Sequence, residues 1–546
     1  TSLTGAQIKS VNDASINAID LTNVTTISSS TMAQMLEVVQ NTGAVFTTAA
    51  NYAVTISDTS SASNVNLVAG DTNGVVTATI VDGAVTTTLN AIGNVATTDV
   101  ITFTTTDTSV DASDLVALKL KVDNLNVDTV NEITEVYNTA NIGTVVANAL
   151  NITGNTEKVI ITGGTVSVTD INTVAGVTSG EVTATVTSAA ASVLNALTTT
   201  STDAITMTVN AEASSAATQA SDLVSLNGKT NQVITMTAVT KVSGSYADLL
   251  NVYVTNAGQY NGEGDEAVTI TGTVTATQAD AIADVTSGVV TAASITADTA
   301  SALNSALSDA QVNAYTLTIN GSSATASDIT SLDNKTSGSI TLSGTSMTIT
   351  VASGETLNLS GITNSLSGNL TIEDSAGNEN ITGTSVNDTL TLSSGNDTVN
   401  LGDGSDVINV TIGNLDISDN ISDNGVSGTD TLNITNSGTI DSANLIDVSG
   451  IETLNLSASD DTITFDDTTE FNAFRNEFAN IADAGGNDTL SFGTSAVTGD
   501  LDFSKLSEFE NLNLSSANDN LTISGDEPTN INGLDGNDTF SLDFSN

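Results

Sequence analysis

Internal repetition constrains this chain more than any other feature of its sequence. The related strings GVVTATIVDG, GEVTATVTSA and GVVTAASITA begin 106 and 108 residues apart, the first of them at Gly74. A second marker, ASDLVAL, returns as ASDLVSL and ASDITSL at steps of 108 and 106 residues. Two independent markers in the same order indicate about three copies of one unit. Because 546 residues exceed the size of a single core, we expect several domains or an elongated repeat array.

The repeats predict a division of the chain into five segments. These are the tail of a preceding repeat (1–50), repeat 1 (51–156), repeat 2 (157–264), a partial repeat 3 (265–335) and a tract of a different kind (336–546). Within the copies, a β-rich run such as AVTITGTVTA precedes a helical pattern such as TQADAIADV, in units of roughly 27 residues. This period is typical of α/β solenoid-like repeats, and a string of small β-sandwich domains is the alternative.

Short helices are further indicated by pairs of polar residues three positions apart. The first oxygen of such a pair caps a free backbone N–H, and the second residue places an acid in the first helical turn. The four predicted pairs are Asp111 with Asp114, Ser167 with Asp170, Thr277 with Asp280, and Thr325 with Asp328.

After about residue 336 the helical patterns fade, and alternating Thr, Ser, Asn and single aliphatic residues predict short strands. A nine-residue period then links Glu379, Asp388, Asp397 and Asp406. The stretch GLDGNDTF, which contains Asp538, repeats the same pattern far downstream. We therefore expect acidic turns between short strands.

These residues resemble the RTX family, whose nonapeptide is G-G-x-G-x-D-x-U-x with U a large apolar residue. The resemblance implies a parallel β-roll or β-helix over 336–546, in which turn carboxylates and carbonyls bind Ca²⁺. It assigns as metal ligands Glu379, Asp388, Gly395, Asp397, Asp403, Gly404, Asp406, Asp488, Asp535, Gly536 and Asp538. The chain departs from the family's pattern at Val386, Leu392 and Leu401, so we expect one or two well-formed sites. A metal-free β-helix with Asn, Asp and Gly in its turns is the alternative.

A separate repeat of 58 residues follows, in which Asp430, Glu452 and Asp461 align with Asp488, Glu510 and Asp519. The phrase GIETLNLS, echoed as EFENLNLS, resembles a segment of large RTX surface proteins. Between the copies, Phe471, Phe474, Phe478 and Ile481 predict one apolar helical face. We expect this helix to cover the β-rich tract, with a docking surface for a neighbouring subunit as the alternative.

Charge and composition exclude several classes of function. The chain carries 63 acidic and 9 basic residues, a net charge of −54, which repels nucleic acid. It contains no Cys and no His, which excludes disulfides, thiolate chemistry and Ser-His-Asp triads. It has no apolar stretch of 18 residues, so no transmembrane segment is predicted.

Taken whole, the chain resembles calcium-dependent surface-layer proteins and large adhesins exported by type I secretion. The resemblance implies an extracellular or cell-surface structural protein, not an enzyme, that self-assembles with Ca²⁺ as a homo-oligomeric lattice or filament. Cell-surface polysaccharide or another surface component is a further partner to test. The alternatives are the stalk of an RTX adhesin, a β-helical polysaccharide-active enzyme, and an ice-binding face made of Thr-rich strands. Because the chain starts at Thr1, we also expect it to be part of a longer or processed product.

Overall fold

The computed structural model describes residues 1–137, 141–308, 311–526 and 528–543. The chain is β-rich with parallel strands and short helices, 34 % strand and 25 % helix. It divides into two compact units, Thr1–Glu266 and Ala267–Asn546. Among the described residues, no helix combines the length and the apolar character needed to cross a membrane.

The first unit contains two larger parallel sheets whose strands lie side by side in chain order. The six-stranded sheet comprises Ser2–Thr4, Thr26–Ser30, Ala53–Ser60, Val76–Ile80, Val100–Thr104 and Asn124–Asn126. The five-stranded sheet comprises Ser109–Asp111, Glu132–Val136, Lys158–Thr162, Val182–Thr185 and Ala204–Thr206. Smaller parallel pairs join Ile19–Leu21 to Phe46–Thr48, Ala189–Ala190 to Val209–Asn210, Thr218–Gln219 to Lys241–Ser245, and Ile234–Thr235 to Tyr260–Asn261.

Short helices separate these strands, as parallel pairing requires a crossover between neighbours. The α-helices are Gly5–Ala14, Met32–Val39, Ala62–Asp71, Val85–Ala91, Ala112–Lys119, Ile142–Thr153, Val168–Ala175, Ala191–Leu194, Ala220–Asn227 and Tyr246–Leu250. Single turns of 3₁₀ or π helix cover Ala213–Ser215, Asn251–Thr255 and Ala257–Gln259. Paired residues of the first unit are separated by 20 to 27 positions in sequence, close to the predicted period.

Both repeat markers occupy equivalent places in the fold. Asp114, Asp222 and Asp328 are each the third residue of a helix. Gly74 and Gly180 precede strands, where a Cβ would lie 2.3 Å from the carbonyl oxygen of a residue about twenty positions earlier. Repetition of the sequence therefore reflects a repeated close approach of the backbone.

Three of the four predicted helix caps form as expected, and one was wrong. Asp111, Ser167 and Thr325 each accept a hydrogen bond from the backbone N–H three residues on. The helix Ala276–Ala283, however, is capped by Thr275, because its hydroxyl and the side chain of Gln278 bond each other's backbone N–H. This reciprocal capping box satisfies two N–H groups, and Thr277 and Asp280 lie inside the helix.

The second unit begins with strands and helices of the same kind. Parallel strands Ala267–Thr271, Val290–Ala292 and Ala314–Tyr315 pair in order, as do Leu317–Asn320, Ile340–Gly344 and Thr363–Leu366. The α-helices are Ala276–Ala283, Ala300–Ala306, Ala326–Lys335 and, much later, Thr468–Glu477, with 3₁₀ turns at Ile412–Asn414 and Ser442–Leu445.

Further along, short strands alternate between two parallel sheets. The long sheet contains Ser323–Thr325, Met347–Thr350, Leu370–Glu373, Asp388–Thr391, Val407–Val410, Thr431–Ile434, Thr453–Asn455 and Asn480–Ala482. The second sheet contains Thr356–Asn358, Asn380–Thr382, Thr398–Asn400, Asn420–Ser422 and Val448–Ser449. Leu370 pairs with Asp388 and Asn380 with Thr398, each 18 positions later. The nine-residue period thus moves the chain from one sheet to the other, and two periods return it to the first.

Two more parallel sheets complete the second unit. One contains Thr439–Asp441, Thr462–Phe465, Asp488–Phe492, Phe509–Asn513 and Asn530–Asn532, and the other contains Thr498–Asp502, Asn520–Ser524 and Thr539–Asp543. Alternate residues of most strands in this unit are buried aliphatic or aromatic side chains, which pack a core between the sheets.

The helix Thr468–Glu477 lies against these strands and buries its aromatic face. Phe471 is 0 % exposed, and its ring lies 5.4, 5.9 and 5.7 Å from those of Phe465, Phe492 and Phe503. The helix is shorter than the predicted apolar face, since it ends at Glu477 and Ile481 lies in a strand. The buried phenylalanines agree with the expected covering role and leave that face without exposed aromatic rings.

Candidate metal centre

Acidic side chains at the starts of adjacent parallel strands form hydrogen-bonded rows. In the first row, the backbone N–H of Asp388 donates to Asp406 Oδ1 at 2.7 Å, and that of Asp406 donates to Asp430 Oδ1 at 2.8 Å. The N–H of Asp430 then donates to Glu452 Oε2 at 2.8 Å. Because a strand's first N–H needs a partner, each carboxylate fixes the register of the strand before it.

A second row runs along the other sheet. The N–H of Gly354 donates to Glu379 Oε1 at 2.7 Å, that of Glu379 to Asp397 Oδ1 at 2.9 Å, and that of Asp397 to Asp419 Oδ1 at 3.0 Å. The structure therefore divides the predicted ligands between two rows, with Glu379 and Asp397 in one and Asp388 and Asp406 in the other.

A third and a fourth row belong to the 58-residue repeat. The N–H of Asp461 donates to Asp488 Oδ1 at 2.6 Å, and that of Asp488 to Glu510 Oε2 at 2.7 Å. In the fourth row, the N–H of Asp519 donates to Asp538 Oδ1 at 3.0 Å. One oxygen of each accepting carboxylate thus accepts a backbone N–H, and the contacts of the other oxygen differ from residue to residue.

At three positions a hydroxyl residue four places earlier donates to the carboxylate. At Asp519 this residue is Ser515, whose hydroxyl lies 2.7 Å from Oδ1. Thr384 donates its backbone N–H to Asp388 Oδ2 at 2.6 Å, and its hydroxyl lies 3.1 and 3.0 Å from the two oxygens of that carboxylate. Ser457 does the same for Asp461, with N–H and hydroxyl contacts of 3.0 and 2.8 Å to Oδ2. Of the predicted ligands, Asp388 is therefore the one whose oxygens are satisfied within the protein.

Elsewhere a third acid takes the place of that hydroxyl. Asp374, Glu379 and Asp397 form cluster 1, in which one carboxylate oxygen from each residue lies within 4.8 Å of the others. Glu379 and Asp397 are 2 % and 0 % exposed. Asp374 Oδ1, Glu379 Oε2 and Asp397 Oδ2 are buried and have no hydrogen-bond donor among the described residues.

Cluster 2 consists of Asp406, Asp423 and Asp430, again with one oxygen each within 4.8 Å. Asp423 Oδ1 accepts the N–H groups of Gly425 and Gly402 at 2.8 and 3.2 Å. Asp406 Oδ2 and Asp423 Oδ2 are buried and lack a donor within the described part of the chain. Within each cluster, carboxylate oxygen atoms that are desolvated and lack a donor therefore lie close to one another.

Burial makes this arrangement electrostatically unfavourable for ionised groups. Desolvation, together with neighbouring carboxylates, raises the pKa of Asp406 to about 7 and the pKa values of Asp397 and Asp430 to about 6. Two unit charges about 4.8 Å apart repel by about 3.5 kcal/mol at an effective dielectric constant of about 20. Because the ion pairs of the described residues lie outside both clusters, a bound cation is the natural counter-charge.

Glycines two positions before the row acids create the space for their carboxylates. A Cβ at Gly377 would lie 2.4 Å from Glu379 Oε1, and one at Gly404 would lie 2.6 Å from Asp406 Oδ1. A Cβ at Gly395 would overlap the carbonyl oxygen of Gly377, at 1.2 Å. The predicted Gly-x-Asp spacing thus has a steric cause, and it stacks backbone carbonyls beside the acids.

The remaining predicted ligands lie outside the two clusters. Asp403 is half-buried, and its Oδ1 accepts the N–H of Val426 at 2.7 Å. Asp535 is exposed, whereas Asp538 accepts the N–H of Asp519 in the fourth row. Gly536 has φ +138°, and a Cβ there would lie 2.2 Å from the carbonyl oxygen of Ala517.

Sequence reasoning missed Asp374, Asp423 and Asp430 as candidate ligands. Asp374 and Asp423 precede a row acid by five and seven residues, off the nine-residue period. An acid shortly before a turn of the form Gly-Asn-acid or Gly-Thr-acid is the signal that identifies them. With carboxylate and carbonyl oxygens and neither His nor Cys in the chain, both clusters suit a hard divalent cation such as Ca²⁺.

In comparisons with known proteins, the chain matches no family model, no curated sequence and no solved structure. The candidate chemistry therefore rests on the residues and their geometry.

Proposed function

We propose that this chain is a structural protein of a bacterial cell surface, a surface-layer or extracellular-matrix subunit that self-assembles in a calcium-dependent way. We further propose that its parallel sheets are stacked as solenoid-like repeats, followed from about residue 336 by a calcium-binding β-roll or β-helix. The observation that carries this proposal is the pair of buried three-carboxylate clusters with unpartnered oxygens.

Several features support a role outside the cell. Calcium-binding modules of extracellular proteins work at dissociation constants of about 10⁻⁴–10⁻³ M, a range that three carboxylates in a hydrogen-bonded frame suit. The surface of this chain is strongly acidic, and dissolved calcium can screen its self-repulsion when copies approach. Repeated parallel strands also supply the long, similar edges that a lattice or filament needs.

Electron microscopy of the purified chain in 10 mM calcium, and again after addition of excess EGTA, tests the proposal directly. Sheets or filaments that form with calcium and disappear with EGTA are the expected result. Particles that remain single in both conditions, by microscopy and by analytical ultracentrifugation, overturn the assembly proposal and favour the stalk of an adhesin.

Two matched variants connect assembly to the clusters. Asp397→Asn keeps the Oδ1 atom that accepts the N–H of Glu379 but removes one ligand charge from cluster 1. Asp447→Asn removes the same charge at an exposed position of the same unit. We expect Asp397→Asn to require more calcium for assembly and Asp447→Asn to behave like the wild type. Equal calcium requirements for all three chains contradict a role for cluster 1.

A further inference from the structure

The turn 483–488, which belongs to neither cluster, repeats the turn of cluster 1. The sequence Asp-Ser-Ala-Gly-Asn-Glu of residues 374–379 returns as Asp-Ala-Gly-Gly-Asn-Asp over residues 483–488. Acids stand at the first and sixth places of both turns, glycine at the fourth and asparagine at the fifth. The 58-residue repeat does not account for this likeness, because position 425, which aligns with Asp483 in that repeat, is a glycine.

The two turns also have equivalent surroundings. Glu379 donates its N–H to a carboxylate on the next strand, that of Asp397, and Asp488 likewise donates to Glu510. In both turns the fourth-place glycine packs against the backbone of a serine in the preceding turn. A Cβ at Gly377 would lie 3.0 Å from Ser353 Cα, and one at Gly486 would lie 2.8 Å from the carbonyl carbon of Ser459.

Unused oxygen atoms mark the second turn as they mark the first. Asp488 is 0 % exposed, and its Oδ2 has no hydrogen-bond donor among the described residues. Asp483 Oδ1 is likewise buried without a donor. Desolvation, together with the neighbouring carboxyl group of Asp483, raises the pKa of Asp488 to about 7. A fully buried carboxylate facing a second one needs a neutralising partner.

We infer that Asp483 and Asp488 form a third site for a hard divalent cation such as Ca²⁺, in which Glu510 accepts the N–H of Asp488 as Asp397 accepts that of Glu379. This inference deepens the proposed function, on whose calcium chemistry it rests. The site follows the strand Asn480–Ala482, by which the chain rejoins the long sheet after the helix Thr468–Glu477. Calcium would therefore fasten the helical insertion at its exit.

The number of bound calcium ions tests the inference on the full chain. Native mass spectrometry and calorimetric titration with calcium count the ions on the wild type, on Asp483→Asn and on Asp488→Asn. Asp500→Asn, at an exposed strand position, is the charge-matched control. We expect each of the two site variants to lose one bound calcium and the control to lose none.

Amide exchange keeps the test valid if Asp488→Asn folds poorly. Within the described part of the chain, Asp483 accepts no row N–H, so Asp483→Asn leaves the row between Asp461, Asp488 and Glu510 in place. Calcium should slow exchange over 488–492 in the wild type but not in Asp483→Asn, while calcium-dependent exchange over 388–391 stays the same in both. An unchanged calcium count in Asp483→Asn, or equal calcium-dependent protection of 488–492, overturns the third site.

Failure of this inference and failure of the proposed function give different results. Loss of one calcium in Asp483→Asn without any calcium-driven assembly of the wild type supports the third site and refutes the lattice. Normal assembly with an unchanged calcium count in Asp483→Asn refutes the third site alone.

Discussion

Removal of calcium should loosen the chain locally, at the carboxylate rows. With EGTA, clusters 1 and 2 keep three carboxylates each within 4.8 Å, and their burial disfavours ionisation. A bound ion relieves that repulsion. Because the unfolded chain does not hold the cluster together, the free energy of ion binding adds to the free energy of unfolding. Since a repeat array is stabilised by contacts between neighbours, the effect should stay within adjoining strands.

The size of the effect follows from mass action. At a dissociation constant of about 10⁻⁴ M, 10 mM calcium is about 100 times that constant and stabilises each site by about 2.7 kcal/mol. That free energy corresponds to about a hundredfold slower amide exchange when exchange occurs through local opening. The row amides of Asp388, Asp397 and Asp406 report the change, since each donates to a carboxylate.

Hydrogen–deuterium exchange followed by mass spectrometry measures these amides with and without EGTA. The helix Ala62–Asp71 of the first unit is the internal control, and its exchange should not respond to calcium. Row amides that exchange equally fast in both conditions would refute the reasoning, and so would a uniform change that includes the control helix.

A variant of cluster 2 should weaken this response to calcium. Asp423→Asn retains the oxygen that accepts two backbone N–H groups but removes one of three like charges. In EGTA we expect its row amides to exchange more slowly than in the wild type, because the repulsion is smaller. In calcium we expect faster exchange than in the wild type, because a ligand is missing. The exposed control Asp447→Asn should show neither change.

Three further predictions concern backbone packing, aromatic packing and the burial of an acid. Gly395→Ala places a Cβ 1.2 Å from a carbonyl oxygen and should destabilise its tract by at least about 2 kcal/mol in urea unfolding, whereas Gly413→Ala, which meets no atom within 4 Å, should cost far less. Phe471→Ala should cost about 3–5 kcal/mol through the cavity left between three rings, and an unchanged unfolding midpoint would contradict the covering role of its helix. Burial raises the pKa of Glu266, so the folded state favours the protonated side chain. The resulting contribution to the free energy of unfolding is complete below the ordinary glutamate pKa and is lost as pH rises through the raised value. Glu266→Gln should therefore flatten the fall in urea midpoint from pH 4 to pH 8 relative to the wild type, with the half-buried Glu132→Gln as control, and parallel profiles would contradict this explanation.

Local patterns in the sequence predict a large part of this structure. Short helices appear where Asp111, Ser167 and Thr325 cap them, because a cap depends only on residues within one turn. The nine-residue period predicts which acids begin strands, since the glycine two positions earlier, such as Gly404 before Asp406, gives the carboxylate room. These features are decided within a few residues and can be read along the chain.

The membership of the clusters depends instead on the register between strands. Asp406 meets Asp430 across 24 positions, whereas Glu379 meets Asp397 across 18, and an irregular insertion accounts for the difference. A strict nine-residue period therefore does not reach Asp423 or Asp430. The same limit explains the end of the aromatic helix, because Ile481 pairs with Leu454 in the long sheet and that pairing outweighs a helical spacing.

Turns closed by a hydroxyl and turns that contain several acids show that strand register and cation dependence have different causes. At Asp461, Oδ1 accepts the N–H of Gly438 just before a neighbouring strand, and Oδ2 meets the hydroxyl of Ser457. At Asp406, Oδ1 accepts the N–H of Asp388 in the same way, but the carboxylate faces the acids of cluster 2. The hydrogen bond that aligns the strands therefore does not require a metal. In the turns that contain several acids, a cation takes the place of the hydroxyl donor that satisfies the second carboxylate oxygen in the hydroxyl-closed turns. The cation also neutralises the like charges of the neighbouring acids. Loss of calcium should then loosen the acid turns while the hydroxyl-closed turns hold their strands in register.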